Sequence, residues 1–350
     1  MTKIFFLLLS ALCLACNPVE QPSGPDWGKN PGVSPEPEPD PTPDPTPEPP
    51  AEIVEQVITP TTEVAAANAP FAGLRYEPGI SINIASSKFD SRLIEIANAG
   101  FKYIEITINH SYGIKDMSDE RVAEILKEKQ AKVTAAGLTL WSIHLPFDDA
   151  NWTNPGGKES IRVQSVANLL RHLRLCAAAF PGCKNYVLHA SKGVLSPRSE
   201  SVNQARKSLK EMFPVAKELG VRICIENLVG SLCPTIEEMG ATIDGVEDAW
   251  VTYDIGHANC VGEDVIEFLK WIGPRLGTVH MHDTMFATRV DDHRIVGQGN
   301  VERWGEVYKT LLEDNRYRGV FMFELGGKDP KEVMDTYHNI ILKQYNELKK

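Results

Sequence analysis

Residues 279–299, VHMHDTMFATRVDDHRIVGQG, place His280, His282, Asp283, Asp291 and His293 between an apolar run and a closing Gly297-Gln298-Gly299. Imidazoles and carboxylates gathered at a strand end are the donors that a divalent metal site needs. A strand ending His-x-His-Asp is expected to aim its imidazoles and its carboxylate at one point in space. The alternative is a solvated loop that happens to hold three histidines, and it loses weight because the pattern recurs along the chain. Glu105 sits in YIEIT, His144 in SIHLP, His189 in VLHAS, Glu226 in CIEN, Asp254 and His257 in YDIGH, and Glu324 in FELGG. Of the nine histidines, those at 144, 189, 257, 280, 282 and 293 fall at or just beyond the ends of apolar runs. Carboxylates brought together at Glu226, Asp254 and Glu324 with no cation between them would repel and draw protons. A structural ion network is the competing reading for those residues. His282, two residues beyond His280, competes with it for one role and is expected to support rather than ligate.

The elements that must position these residues alternate strictly. Strands are expected at 80–85, 103–109, 138–145, 185–190, 221–228, 250–255, 278–281 and 319–325. Helices are expected at 88–99, 118–136, 158–179, 199–219, 235–243, 264–272, 301–312 and 330–348. Alternation of this kind implies parallel strands joined by helical crossovers, an α/β class. Eight units in this length fit a closed (β/α)8 TIM barrel, whose chemistry lies at the C-terminal strand ends. A doubly wound open sheet is disfavoured, since no Gly-rich dinucleotide loop follows the first strand. Trp141, Phe147 and Trp152 are either pocket walls for a sugar or core residues.

The chain has 350 residues, 42% hydrophobic and 24% charged, an ordinary globular balance. Its net charge of −11 is unevenly spread. Residues 1–63 hold ten acids and two bases, which leaves 37 acids and 34 bases in the remainder. A body at −3 has no basic excess to hold a polyanion, so no nucleic acid partner is expected. Cys176, Cys183, Cys224, Cys233 and Cys260 form no C-x-x-C pair, which argues against zinc-ribbon and thioredoxin readings. Most are expected to be buried as small apolar residues.

Residues 1–15 read as an export signal: Lys3, the apolar run 4–9, then small residues. The apolar part is too short to span a bilayer. The stretch Cys13-Leu14-Ala15-Cys16 resembles a bacterial lipoprotein signal, which implies lipidation at Cys16. Cys13 departs from the aliphatic residue usual there. Ordinary cleavage with Cys16 as a bystander is the alternative. Residues 16–65, including PEPEPDPTPDPTPEPP, form a Pro- and acid-rich linker expected to lie extended as a semi-rigid stalk. The single-domain barrel is therefore expected over 66–350, exported and held at the membrane by a lipid alone, on the periplasmic or outer face.

IEN at 226, YDIGH at 254–257, HMHD with the downstream DDHRIVGQG, and FELGG at 324 together resemble the xylose isomerase-like barrel superfamily over about residues 79–350. That group includes sugar isomerases and epimerases and endonuclease IV. The resemblance to the epimerases implies one divalent metal, Mn2+ first with Mg2+ or Zn2+ as alternatives, on Glu226, Asp254, His280 and Glu324. It implies that Glu226 and Glu324 exchange a proton next to the carbonyl of a keto- or aldo-sugar through an enediolate. His144, His189, His257, Glu105 and His293 would then touch substrate. An exported enzyme meets mainly unphosphorylated carbohydrate. Isomerisation, epimerisation and elimination all begin with that proton abstraction, and the motifs do not choose among them or set an oligomeric state. The resemblance to endonuclease IV implies instead a trinuclear zinc phosphodiesterase, with His144, His189, His257, Asp291 and His293 as further ligands. A third reading is a lipoprotein that binds saccharide through a metal without turnover.

Overall fold

The computed structural model describes residues 76–109, 114–286 and 290–350. The export signal, Cys16 and the linker lie outside the described residues. Short runs rich in β-branched and aromatic side chains form the strands. In chain order these are β1 (Pro78–Asn83), β2 (Tyr103–Thr107), β3 (Thr139–His144), β4 (Asn185–Leu188), β5 (Arg222–Glu226), β6 (Trp250–Asp254), β7 (Leu276–His280), a short β8 (Asp283–Met285) and β9 (Val290–Arg294), and β10 (Phe321–Phe323). Strands β1 to β7 pair in sequence order, all parallel, and β10 pairs with β1. The ring closes through Met281, which bridges to Phe323 and donates its N–H to the Met322 carbonyl at 2.8 Å. Eight parallel strands in a nearly closed ring are the expected (β/α)8 TIM barrel.

Helices α1 (Phe89–Asn98), α2 (Asp119–Ala135), α3 (Glu159–Ala179), α4 (Arg198–Glu218), α5 (Ile236–Ile243), α6 (Ile255–Val261), α7 (Val265–Ile272) and α8 (Trp304–Glu313) connect the strands, and α9 (Pro330–Thr336) and α10 (Lys343–Glu347) follow the last one. Each longer helix turns an apolar stripe inward; α3 buries Leu169, Leu173 and Cys176 at helical spacing. Their starts are marked by side-chain caps. Ser118 accepts from the Arg121 N–H, Thr235 from Glu238, and Asp264 from Ile266 and Glu267. Between sheet and helices Ile80, Ile104, Ile106, Ile143 and Ile225 are fully buried, each contributing roughly 1.5–3 kcal/mol relative to exposure.

Three departures from the periodicity have physical causes. An extra helix, α6, follows β6 without a loop, because the Asp254 carboxylate caps it by accepting the His257 N–H at 2.7 Å. The polar segment after β7 is an antiparallel hairpin, β8 with β9, rather than an irregular loop. The last helix is continuous only in outline, with a π-helical stretch over Tyr337–Leu342 whose wider turn buries Tyr337, Ile341 and Leu342 together.

Cys176, Cys183, Cys224, Cys233 and Cys260 are all buried and unbridged. Burial pushes the Cys176, Cys224 and Cys233 thiols up to about 12, which leaves them protonated and inert. No helix among the described residues is long and apolar enough to cross a membrane.

Candidate metal centre

Strands β5, β6 and β7 end on Glu226, Asp254 and His280, and Glu324 follows β10 directly. Asp254 and His280 are register partners across β6 and β7. His280 Nδ1 lies 3.0 Å from Glu226 Oε1, 3.2 Å from Glu324 Oε2 and 3.8 Å from Asp254 Oδ2. The four side chains each present a donor atom, and these atoms fall within 4.8 Å of one another. The ring orientation of His280 is set from behind. Its Nε2 is 3.0 Å from Glu105 Oε2, which also accepts from Ser142 Oγ at 2.6 Å. A carboxylate there keeps the proton on Nε2 and leaves Nδ1 for a cation.

Two further donor groups flank this one. His144, His189 and Glu226 form the first, so Glu226 belongs to both sets. Glu226 Oε2 is 3.2 Å from His144 Nε2 and 2.9 Å from His189 Nε2, and the two imidazole nitrogens are 3.1 Å apart. His257, His282, Asp291 and His293 form the second. Asp291 Oδ2 is 3.1 Å from both His257 Nε2 and His293 Nε2. Backbone carbonyls fix three of the tautomers: Leu145 O at 2.9 Å from His144 Nδ1, Asn227 O at 2.8 Å from His257 Nδ1, and Glu324 O at 2.9 Å from His293 Nδ1. A carbonyl only accepts, so each Nδ1 carries a proton and each Nε2 faces the cluster.

The electrostatics follow from this crowding. Burial opposes charge on His280, yet Glu105, Glu324 and Glu226 outweigh it and hold the imidazole well above its ordinary range. His257 is likewise raised against burial by Asp254 and Asp291, and His293 is raised to about 10 by Glu324 and Asp291. Burial would raise the carboxylates, but His280 and His189 draw Glu226 well below the usual range, and His280 and His293 draw Glu324 down. Of the two imidazoles on Glu226, burial pushes His189 down while the hydrogen bond and charge of Glu226 raise His144 against burial. Two nitrogens 3.1 Å apart cannot both stay protonated. Glu324 Oε2, Asp291 Oδ1 and His189 Nδ1 are buried without a hydrogen-bond partner among the described residues. Ionised carboxylates beside imidazoles whose other nitrogen is already bonded fit a divalent cation by donor chemistry.

Glu226, Glu324, His144, His189, His257, Asp291 and His293 open into a cavity of about 320 Å3 whose walls include Phe147 and Leu228. Phe147 is therefore a wall, whereas Trp141 is core, donating its Nε1–H to Thr278 Oγ1 at 3.1 Å. Trp152 stacks edge-on against His172, away from the cavity lining. Two expectations are corrected. Glu105 does not reach the cavity; it is wholly buried behind His280 and cannot touch substrate there. Asp283 does not join the metal donors. Its carboxylate accepts the N–H groups of Thr284, Gly297 and Val301 at 2.9, 2.9 and 3.1 Å and ties the hairpin to the Gly-x-Gly turn. A Cβ at Gly299 would lie 2.2 Å from Asp283 Oδ1, which accounts for a glycine at that position.

His282 is closer to the donors than its spacing suggested. Its Nε2 is 3.1 Å from Asp254 Oδ2, and its ring stacks on His293 at 4.1 Å between centroids. Asn227 was legible only as part of a motif. It clamps β5 to β6 by donating to the Asp254 carbonyl and accepting from the Asp254 N–H, both at 2.7 Å.

The sequence profile of the xylose isomerase-like TIM barrel family matches residues 93–340. Two uncharacterised proteins of Methanocaldococcus jannaschii are similar. MJ1311 is 30% identical over 158 residues, 43% of this chain and 51% of that protein. MJ1614 is 26% identical over 250 residues, 71% of this chain and 90% of that protein. The chain thus spans about half the length of the first and most of the second. Among solved structures, a D-tagatose 3-epimerase-like protein superposes with a TM-score of 0.61 at 21% identity, over 77% of this chain and 99% of that one. D-psicose 3-epimerase gives 0.59 at 19%, over 78% and 100%. The 3-keto-D-glucoside 4-epimerase of E. coli gives 0.56 at 17%, over 75% and 98%. At these identities the structural likeness speaks for the shared fold.

Proposed function

The chain belongs to the xylose isomerase-like TIM barrel family, and from that premise we propose a metal-dependent sugar isomerase or epimerase that moves a proton next to a carbonyl. The observation that carries this reading is the placement of Glu226 and Glu324. Both open into a cavity of about 320 Å3, a size suited to one sugar unit, and both approach the same His280 nitrogen. The structural likeness to a D-tagatose 3-epimerase-like protein, to D-psicose 3-epimerase and to 3-keto-D-glucoside 4-epimerase supports it.

Glu226, Asp254, His280 and Glu324 would hold the cation, Mn2+ first and Mg2+ or Zn2+ as alternatives. A divalent ion there supplies Lewis-acid polarisation of the sugar carbonyl. The remaining work falls to the chain. Glu324, ionised and with Oε2 free of hydrogen bonds, takes the proton from the carbon beside the carbonyl, and the C–H electron pair enters the enediolate. Glu226, bonded to His144 and His189, relays to the sugar a proton supplied by the His144 imidazole, which water restores as the proton on Glu324 leaves to solvent, and no oxidant or reductant is consumed. His257 and His293, which line the same cavity, would orient hydroxyl groups. On the export signal read in residues 1–15, the substrate is an unphosphorylated keto- or aldo-sugar and the enzyme a lipoprotein anchored through Cys16.

One observation favours a second reading. The flanking donor groups around Glu226 and Asp291 offer places for further cations, as in a polynuclear phosphodiesterase of the endonuclease IV type. Elemental analysis of the purified protein separates the two. About one divalent ion per chain, with solvent deuterium entering a ketose, supports the sugar reading. Three zinc ions per chain with cleavage of a phosphodiester would replace it.

A further inference from the structure

Among the described residues, the Lys or Arg side chain that lines this cavity is Lys192, on the loop after β4. Its Nζ has no carboxylate within 4.0 Å among the described residues. It stands 5.9 Å over the ring of Phe147, which itself lies 4.6 Å from both the His144 and His189 rings. The ammonium, on an exposed side chain, thus stands beside the apolar wall that adjoins the His144 and His189 imidazoles.

The backbone beneath it is clamped. The buried Asn154 side chain accepts the Lys192 N–H at 3.0 Å and the Ser191 hydroxyl at 2.8 Å, and donates to the Lys192 carbonyl at 3.1 Å. Ser231 Oγ donates to the Ser191 carbonyl at 2.6 Å from the loop after β5. A Cβ at Gly156 would lie 2.8 Å from Ser191 Oγ, so the 154–157 turn reaches this loop only because position 156 lacks a side chain. A lysine serving solubility alone needs neither of its peptide groups anchored by a buried amide. Anchoring costs side-chain and backbone freedom, and it is useful where the ammonium must meet something at a set distance from the site.

Building on the sugar reading, we propose that Lys192 selects a substrate bearing an anionic substituent, so that the enzyme acts on a sugar acid. The ammonium takes the anion while Phe147 faces the apolar side of the ring and the carbonyl end points to Glu226 and Glu324. A carboxylate or a phosphate would satisfy the same contact, and the proposed export makes the carboxylate the expected source. Asn154 is a positioning residue, acting through Lys192.

The test is calorimetric binding to the full-length, Mn2+-loaded protein of three hexuronates, their parent hexoses and the hexose 6-phosphates, for wild type, K192Q and K192R. The expected result is tighter binding of uronate than of hexose, with that ratio falling about tenfold or more in K192Q and largely restored in K192R. A preference for the 6-phosphates that follows the same variants supports the anion contact and identifies phosphate as its source. Equal binding of charged and neutral sugars, or a preference that persists in K192Q, overturns the role of Lys192 and leaves the sugar reading standing. Binding of none of these sugars by wild type overturns both.

Discussion

Glu105 Oε2 lies 3.0 Å from His280 Nε2, and neither side chain has exposed surface. Together with Ser142 they form a carboxylate–histidine pair behind the central donor group, with His280 Nδ1 turned to Glu226 and Glu324. Such a partner fixes the tautomer and raises the basicity of the ring as a ligand.

Glu105→Ala is therefore expected to weaken divalent metal affinity by about 10- to 100-fold. Glu105→Gln, which keeps an acceptor, should lose less. Competition titration against a chelator reads both. Unchanged affinity in the alanine variant would sink the orienting role.

Glu324 separates an enzyme from a binder. In Glu324→Gln at saturating metal, sugar affinity should stay within a few fold while solvent-deuterium exchange falls by about 10²- to 10⁴-fold. Exchange absent already in wild type, with sugar bound, would indicate the non-catalytic lipoprotein instead.

The raised imidazoles make stability depend on pH and metal in opposite senses. His257, His280 and His293 are raised in the folded state, the last to about 10, from an unfolded value of about 6.5. Without metal their contribution is complete below about pH 6.5 and is lost as pH climbs through the folded values. Glu226 and Glu324 are lowered, so their contribution holds above about pH 4.3 and fades as pH falls through theirs. A divalent ion needs the neutral imidazoles, so metal affinity rises over the alkaline window. Calorimetric Tm measured with EDTA should fall from about pH 6.5 toward pH 10, and the gap to the metal-loaded protein should widen. Parallel curves would contradict the assignment of these imidazoles to the site.

Gly256 faces the ring of His282, and a Cβ there would lie 2.0 Å from its Cε1. Gly256→Ala must displace His282 from Asp254, at a cost of about 1–3 kcal/mol. Its Tm should drop and its metal affinity should fall with it. An unaltered Tm would show that this wall yields freely.

Cys16→Ser tests the anchor. The variant should leave the membrane fraction for the soluble one with its metal content unaltered. Retention at the membrane would argue against lipidation at Cys16.

The barrel was readable from local periodicity, because each strand and helix declares itself within about ten residues and strict alternation leaves few topologies. The donor types at the strand ends, Glu226, Asp254, His280 and Glu324, were readable for the same reason. What each side chain does was not. Asp283 adjoins His282 in sequence, yet it turns to the Gly297 N–H, since the hairpin of β8 and β9 redirects the chain after β7. Glu105 looked like a substrate contact, but its partner lies 175 residues away and meets it only when the ring of strands closes. The tautomers of His257 and His293 depend on carbonyls 30 and 31 residues away, and Lys192 is placed by an amide 38 residues earlier. Sequence alone determined which groups arrive at the mouth of the barrel. The tertiary structure decided which way they face, because direction is set by register and by hydrogen bonds between elements distant along the chain.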